Sequence, residues 1–169
     1  GTGLLYTSRL GGVDRLVDAD GDGLFEGREK VLDGLPVGRH STDDVEFGPD
    51  GKLYVGTGSV DDMGESGQSP AHQAAILRVN PDGSGLELYA SGLRNPYGLA
   101  FDAGGQLWAT DNGGDVPEGQ PDELNRIEQG GDYGWPGCFG IGQESVPGAC
   151  EATIPPVVTL ATHSSSDGL

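Results

Sequence analysis

Basic residues are scarce in this chain: nine Lys plus Arg stand against 27 Asp plus Glu, a formal net charge of −18 over 169 residues. So one-signed a surface repels phosphate backbones and anionic lipid, which argues against nucleic-acid or membrane-surface binding. Long apolar runs are missing too; none approaches the roughly 20 residues that a membrane span needs. The sequence carries no G-x-S-x-G, no zinc-type Cys/His spacing and no phosphate-binding loop. Only two cysteines occur, Cys138 and Cys150, close together in a segment of little regular pattern. An acidic, Lys-poor, turn-rich chain suits an oxidising compartment, so a Cys138–Cys150 disulfide and an extracytoplasmic (periplasmic or secreted) location are expected. The opening Gly1-Thr2-Gly3 has neither a basic nor an apolar leader, which reads as removal of a signal or as an internal piece of a longer chain.

Glycine is what abounds: 32 Gly with 11 Pro make about a quarter of the chain. Leu, Val, Ile and Phe stay just above the fifth or so below which chains remain disordered. The glycines punctuate short apolar runs and do not pool in a linker, which favours an all-β fold and leaves helix little claim. One unit recurs. Phe47-Gly-Pro-Asp-Gly-Lys-Leu-Tyr54 and Phe101-Asp-Ala-Gly-Gly-Gln-Leu-Trp108 align, and Leu5-Tyr6-Thr7 echoes Leu53-Tyr54-Val55. Strands are expected over 4–8, 13–17, 30–35, 45–47, 53–57, 75–79, 86–91, 98–101 and 107–110, with hairpin turns at Pro49-Asp50-Gly51 and Pro81-Asp82-Gly83. Such units match propeller blades of about 40–50 residues. About three blades fit, so the chain is expected to be a single partial β-propeller domain. Its parts would be a calcium-loop hairpin over 13–35, a blade over 40–93 and a blade over 94–169 carrying the cystine loop. Missing sequence or a second chain would complete the ring.

Asp18-Ala-Asp20-Gly-Asp22-Gly23-Leu24-Phe-Glu-Gly-Arg-Glu29 matches D-x-D-x-D-G-x5-E, a strong calcium-loop pattern. Asp18, Asp20 and Asp22 would face one hard cation, Leu24 would offer its carbonyl and Glu29 both carboxylate oxygens. The flanks read as strands, so a calcium-clamped hairpin with a structural role is expected instead of a helix pair. Elsewhere, Asp61, Asp62 and Glu65 read as a solvated charge run, His72 and His163 as loop histidines, and Trp108 and Trp135 as packing between blades.

Gly92-Leu-Arg-Asn-Pro-Tyr-Gly-Leu-Ala-Phe101, Leu107-Trp-Ala-Thr-Asp-Asn-Gly-Gly114, Asp122-Glu-Leu-Asn125 and Gly131-Asp-Tyr-Gly-Trp-Pro136 together resemble the soluble glucose/sorbosone dehydrogenases, or aldose sugar dehydrogenases. The resemblance runs from His40 to Pro136. It implies a six-bladed β-propeller that oxidises aldose sugars with pyrroloquinoline quinone (PQQ) and Ca2+. On this resemblance His40 is the base that takes the proton of the sugar C1 hydroxyl, work suited to an imidazole. Arg94 and Asn95 match the cofactor-contacting pair. Asn112, Gly113 and Gly114 match the stretch whose backbone carbonyls hold the cofactor's calcium, and Glu123 with the Tyr133 carbonyl match a second, structural calcium site. There are departures. Arg39 and Thr42-Asp43-Asp44 flank His40, and those carboxylates are expected to raise its pKa. Tyr97 replaces a Gln and Gly114 a Pro, Ala74-Ala75 stand for Gly-Lys, and the family's later cofactor contacts would lie past Leu169. Two function classes follow: a quinone-dependent sugar dehydrogenase or the N-terminal to middle part of one, and a non-catalytic, calcium-stabilised propeller module binding carbohydrate or a protein.

Overall fold

The computed structural model describes residues 4–115, 119–162, 164–166 and 168–169. His163 lies outside them. Strands β1 (Leu4–Arg9), β2 (Gly12–Val17) and β3 (Gly27–Asp33) form an antiparallel sheet in that order. A second, four-stranded meander follows as β4 (Thr42–Phe47), β5 (Leu53–Thr57), β6 (Ala75–Val79) and β7 (Glu87–Ser91). The third sheet contains β8 (Pro96–Phe101), β9 (Leu107–Asp111) and β10 (Pro121–Ile127). The chain then leaves it for a short hairpin, β11 (Cys138–Phe139) and β12 (Gln143–Glu144), and returns as β13 (Val158–Thr162) to pair with β10. No helix occurs among the described residues.

Turn chemistry sets the meander's hairpins. At the tip between β4 and β5, Gly48 N donates to Lys52 O at 2.9 Å, the Asp50 carboxylate accepts from Lys52 N at 3.1 Å, and Gly51 takes φ 76°. Only glycine adopts that left-handed conformation without strain. The expected strands recur with small shifts at their ends. Strands β10 to β13 had not been expected, because β10 reads Pro-Asp-Glu-Leu-Asn-Arg-Ile and carries its polar residues inward: Asp122, Glu123 and Asn125 are all buried.

The middle sheet is covered on both faces, and β5 shows why its sequence is nearly all apolar. Successive side chains of a strand point to opposite faces. Leu53 and Val55 accordingly pack with Val13, Leu32, Leu77 and Val79 toward the first sheet. Tyr54 turns the other way, into Ile76, Leu99, Leu107 and Ile127 of the second and third sheets. Its ring meets Tyr89 and Phe101 edge-on at centroid distances of 4.9 and 5.0 Å, the favoured aromatic geometry. Cys138 and Cys150 form the expected disulfide, closing the excursion between β10 and β13.

Leu77 is fully buried in this stack. Leu77→Ala is expected to cost about 2–5 kcal/mol in a denaturant melt, while truncation of the exposed Leu88 on the neighbouring strand costs far less.

Candidate active site

The strands of the second and third sheets deliver their loops to one edge. His40 precedes β4, Gly58 and Ser59 follow β5, Arg94 and Asn95 precede β8, and Asn112 to Gly114 follow β9. Backbone hydrogen bonds knit these loops together: His40 N to Ser59 O at 3.0 Å, Gly58 N to Ser41 O at 2.7 Å, Ser59 N to Arg94 O at 2.8 Å and Asn112 N to Asn95 O at 3.2 Å. Gly58 lies so close to its neighbours that a Cβ there would stand 2.3 Å from His40 Cβ and 2.6 Å from Asn95 Oδ1.

The loops enclose an open concavity of about 160 Å³, lined by Arg39, His40, Arg94, Asn95, Asn112, Gly113 and Asp122 among others. Three polar atoms on residues that line it, His40 Nε2, Asn95 Oδ1 and Asn112 Oδ1, are buried without a hydrogen-bond partner. Each such group costs about 1–3 kcal/mol when left unpaired, so three gathered here leave a demand for hydrogen-bond partners.

Burial, with the charges of Arg94 and Arg39, pulls the His40 imidazole down to about 4. This reverses the expected upward shift. Asp44 is turned aside, its carboxylate accepting from Val45 N at 2.8 Å and Leu99 N at 2.9 Å. Asp43 is itself pushed up to about 7 by burial and by Asp44, so it is a weak source of negative charge at neutral pH. Asp62 and Asp115 do pull the imidazole upward, and they are outweighed. His40 is a neutral imidazole at physiological pH.

Arg94 is almost fully buried and its guanidinium is engaged within the protein. Nε donates to Asp62 O at 3.1 Å, Nη1 to Asn112 O at 2.9 Å, and Nη2 pairs with the Asp62 carboxylate. Asp61 and Asp62 are therefore not part of a solvated face, while Glu65 is exposed as expected. Asp61 accepts from Gly64 N at 2.6 Å and Ser66 N at 3.2 Å, Asp62 holds Arg94, and the Glu65 carboxylate accepts from Met63 N at 2.6 Å. Trp135 joins the same junction by donating its indole N–H to Asp62 O at 3.2 Å.

Beside the concavity lies an enclosed cavity of about 10 Å³, lined by Gly92, Asp111, Asn112, Glu123 and Tyr133 among others. That is room for roughly one water molecule or one ion. Asp111 and Glu123 face each other in register on β9 and β10, and both are buried. Burial raises both carboxyl pKa values, and the Glu123 charge adds to the rise at Asp111. Glu123 accepts from Gly140 N at 2.5 Å and from the Asn125 amide at 3.1 Å. Asp122, also buried, accepts from Gly113 N at 3.0 Å and Ser164 Oγ at 2.8 Å. Asp122 and Glu123 are thus buried, hydrogen-bonded carboxylates of a strand. Gly114 is fixed by Gln120, whose side-chain oxygen accepts from Gly114 N at 3.1 Å and whose backbone N–H donates to Gly114 O at 3.0 Å. A carbonyl oxygen that accepts one hydrogen bond keeps a second lone pair for a cation.

In the Asp-rich loop the carboxylates of Asp18, Asp20, Asp22 and Glu26 lie within 4.8 Å of one another. The fourth member is Glu26 where Glu29 had been expected. Strand β3 begins at Gly27, and its register sets Glu29 opposite Arg15, whose Nε donates to the Glu29 carboxylate at 3.1 Å. Leu24 is exposed at the tip of the loop, and its N–H is held by the Asp22 carboxylate at 2.8 Å. Sequence reading also missed Gly58, Asp62 and Asp111. Asp111 lies inside the quoted stretch from Leu107 to Gly114, whereas Gly58 carries no local signal.

The sequence model of the Glucose / Sorbosone dehydrogenase family matches residues 13–145. Quinoprotein glucose dehydrogenase B of Acinetobacter calcoaceticus is 31% identical over 149 residues, covering 68% of this chain and 30% of that protein. Among solved structures, the PQQ-bound form of aldose sugar dehydrogenase from Streptomyces coelicolor aligns with a TM-score of 0.76 at 30% identity, over 95% of this chain and 50% of that one. A glucose dehydrogenase-like putative oxidoreductase from Thermus thermophilus aligns with a TM-score of 0.71 at 32% identity, over 88% of this chain and 47% of that one. The chain thus spans about half the length of these structures and under a third of the curated relative. The likeness identifies the stacked sheets as part of an all-β propeller.

Gly58→Ala places a methyl group against His40 and Asn95. It is expected to destabilise the protein by about 1–3 kcal/mol in a denaturant melt, with the His40 ring resonances shifted by NMR as the local signature.

Proposed function

Because this chain belongs to the glucose/sorbosone dehydrogenase family, we propose that it forms the part of a PQQ-dependent aldose dehydrogenase that holds the catalytic base and one wall of the cofactor site. The observation that carries this reading is the trio of buried, unpartnered polar atoms, His40 Nε2, Asn95 Oδ1 and Asn112 Oδ1, on residues that line one concavity. They fit a ligand rich in hydroxyl and N–H groups. Bound quinone with its calcium supplies an electrophilic carbonyl that accepts hydride from C1 of the sugar. The chain's own share is proton transfer and orientation. His40, neutral and lining the concavity, takes the C1 hydroxyl proton on Nε2 as the sugar is oxidised to its lactone. Asn95 and Asn112 accept hydrogen bonds from the bound molecules and fix their angle to His40. Arg94, committed to Asp62 and Asn112, keeps the wall rigid and helps to hold the imidazole unprotonated.

Three cation sites belong to this reading. The carbonyls of Gly113 and Gly114 would hold the cofactor's calcium. Glu123, with the Tyr133 carbonyl, would hold a structural calcium in the enclosed cavity, whose donors are oxygens as that ion requires. Asp18, Asp20, Asp22 and Glu26 would hold another and clamp the hairpin over 13–35. The blades over 40–93 and 94–169 would sit in one propeller domain completed by further sequence or a second chain, in an extracytoplasmic compartment that suits the disulfide.

The full-length protein reconstituted with PQQ and calcium should oxidise aldoses with a dye acceptor. His40→Gln should lower kcat by about 10²–10⁴-fold. The imidazole accepts a proton only in its neutral form, so kcat/KM should fall as pH drops through about 4 and stay level from there to neutrality. Absence of quinone-dependent turnover, with activity indifferent to residue 40, would overturn this reading in favour of the non-catalytic carbohydrate- or protein-binding module. Calcium titration of stripped protein tests the hairpin clamp separately. Asp20→Asn and Glu26→Gln should each weaken one site at least about 10-fold, and Glu29→Gln should leave it within about 2-fold, since a carboxylate ligand contributes charge that an amide lacks.

A further inference from the structure

Asp111 connects the enclosed cavity to the open concavity. Its carboxylate lines the cavity and faces Glu123 across the β9–β10 ladder. The same two oxygens accept the backbone N–H groups of the residues before β8, Oδ2 from Arg94 at 2.9 Å and Oδ1 from Asn95 at 2.5 Å. The turn that presents Arg94 and Asn95 to the concavity is thus wrapped around a carboxylate that belongs to the cavity. Arg94, Asn112 and Gly113 line both spaces.

We propose that Asp111 is a positioning residue that couples the two spaces: a divalent cation held in the cavity between Asp111 and Glu123 fixes the Arg94–Asn95 turn and so the face offered to the quinone. This rests on the cofactor reading above. Two carboxyl groups opposed in a buried pocket disfavour a second negative charge at low dielectric. A cation between them removes that penalty and pins the Asp111 oxygens, and with them the Arg94 and Asn95 amides, since no other group caps those N–H bonds among the described residues. With the cation present the pair becomes a bridge. Linkage then requires that quinone tighten the cavity cation by the factor by which the cation tightens quinone.

The test is binding, measured on the full-length protein without turnover. Calcium stoichiometry comes from isothermal titration, and PQQ affinity from quinone absorbance at a calcium concentration that saturates the unmutated protein. Glu123→Gln is the informative variant, since Glu123 bonds neither Arg94 nor Asn95. It should lose one calcium per chain and weaken PQQ binding about 5- to 100-fold, the usual range of site-to-site coupling. Glu123→Asp, which keeps the charge, should recover much of both. A lost calcium with unchanged PQQ affinity would overturn the coupling, and so would an unchanged calcium stoichiometry. If Glu123→Gln does not fold, the unmutated protein serves: bound PQQ should tighten the cavity calcium by a similar factor in an equilibrium competition with a chelator, and equal calcium affinities with and without PQQ would overturn the proposal. Failure of the unmutated protein to bind PQQ at any calcium concentration overturns the cofactor reading instead, so the two failures are distinct.

Discussion

One buried guanidinium organises the loops at the functional edge. Arg94 reaches the Asp62 carboxylate and carbonyl in one direction and the Asn112 carbonyl in another, while its own backbone N–H is held by Asp111 and its carbonyl by Ser59. The loops after β5 and β9 meet on that side chain, and Trp135 closes the junction from a third segment. A charge so well covered is tolerable only with its counter-ion and hydrogen bonds in place. Removing Asp62 would therefore expose every one of these loops to rearrangement. Burial first, and the same charge after it, lower the His40 imidazole, so the scaffold cation also helps to keep the candidate base unprotonated.

The acidity of the chain reads differently once the fold is known. A surface excess of carboxylate would serve solubility alone. Here Asp14, Asp61, Asp111, Asp122 and Glu123 are buried and each has a structural task. Asp14 binds Arg9, Asp61 folds its loop around Gly64 and Ser66, and Asp122 ties Gly113 to Ser164. Where such carboxylates meet an arginine the charge is already balanced. At Asp111 and Glu123, where two face each other, balance requires something from solution.

Much of this was legible in the sequence because strand alternation and turn glycines are local signals. The strands of the second sheet, the Asp-Gly turns and the Asp-rich loop all announce themselves within a few residues. Strand β10 did not, since its inward residues are Asp122, Glu123 and Asn125 and their partners come from elsewhere in the chain. The spacing rule puts Glu29 in the loop, whereas Glu26 stands with Asp18, Asp20 and Asp22 and Glu29 pairs with Arg15 on a strand that has already begun at Gly27. The sign of the His40 shift was misjudged because closeness in sequence is not closeness in space: the Asp44 carboxylate serves the Leu99 amide, and Arg94 arrives from the next sheet. Gly58 matters only through what stands beside it, which no one-dimensional pattern reports.

Strand β13 joins its sheet about 30 residues after β10 has been laid down. During synthesis at about 5–20 residues per second, β10 is the open edge of a three-stranded sheet for a few seconds. Unpaired edges recruit other chains, and inward-facing charge is one of the devices that prevents it. The buried Asp122 and Glu123 thus have an earlier occupation than any they hold in the finished fold. They make the waiting edge a poor template for the wrong strand until the cystine-bearing excursion brings the right one back.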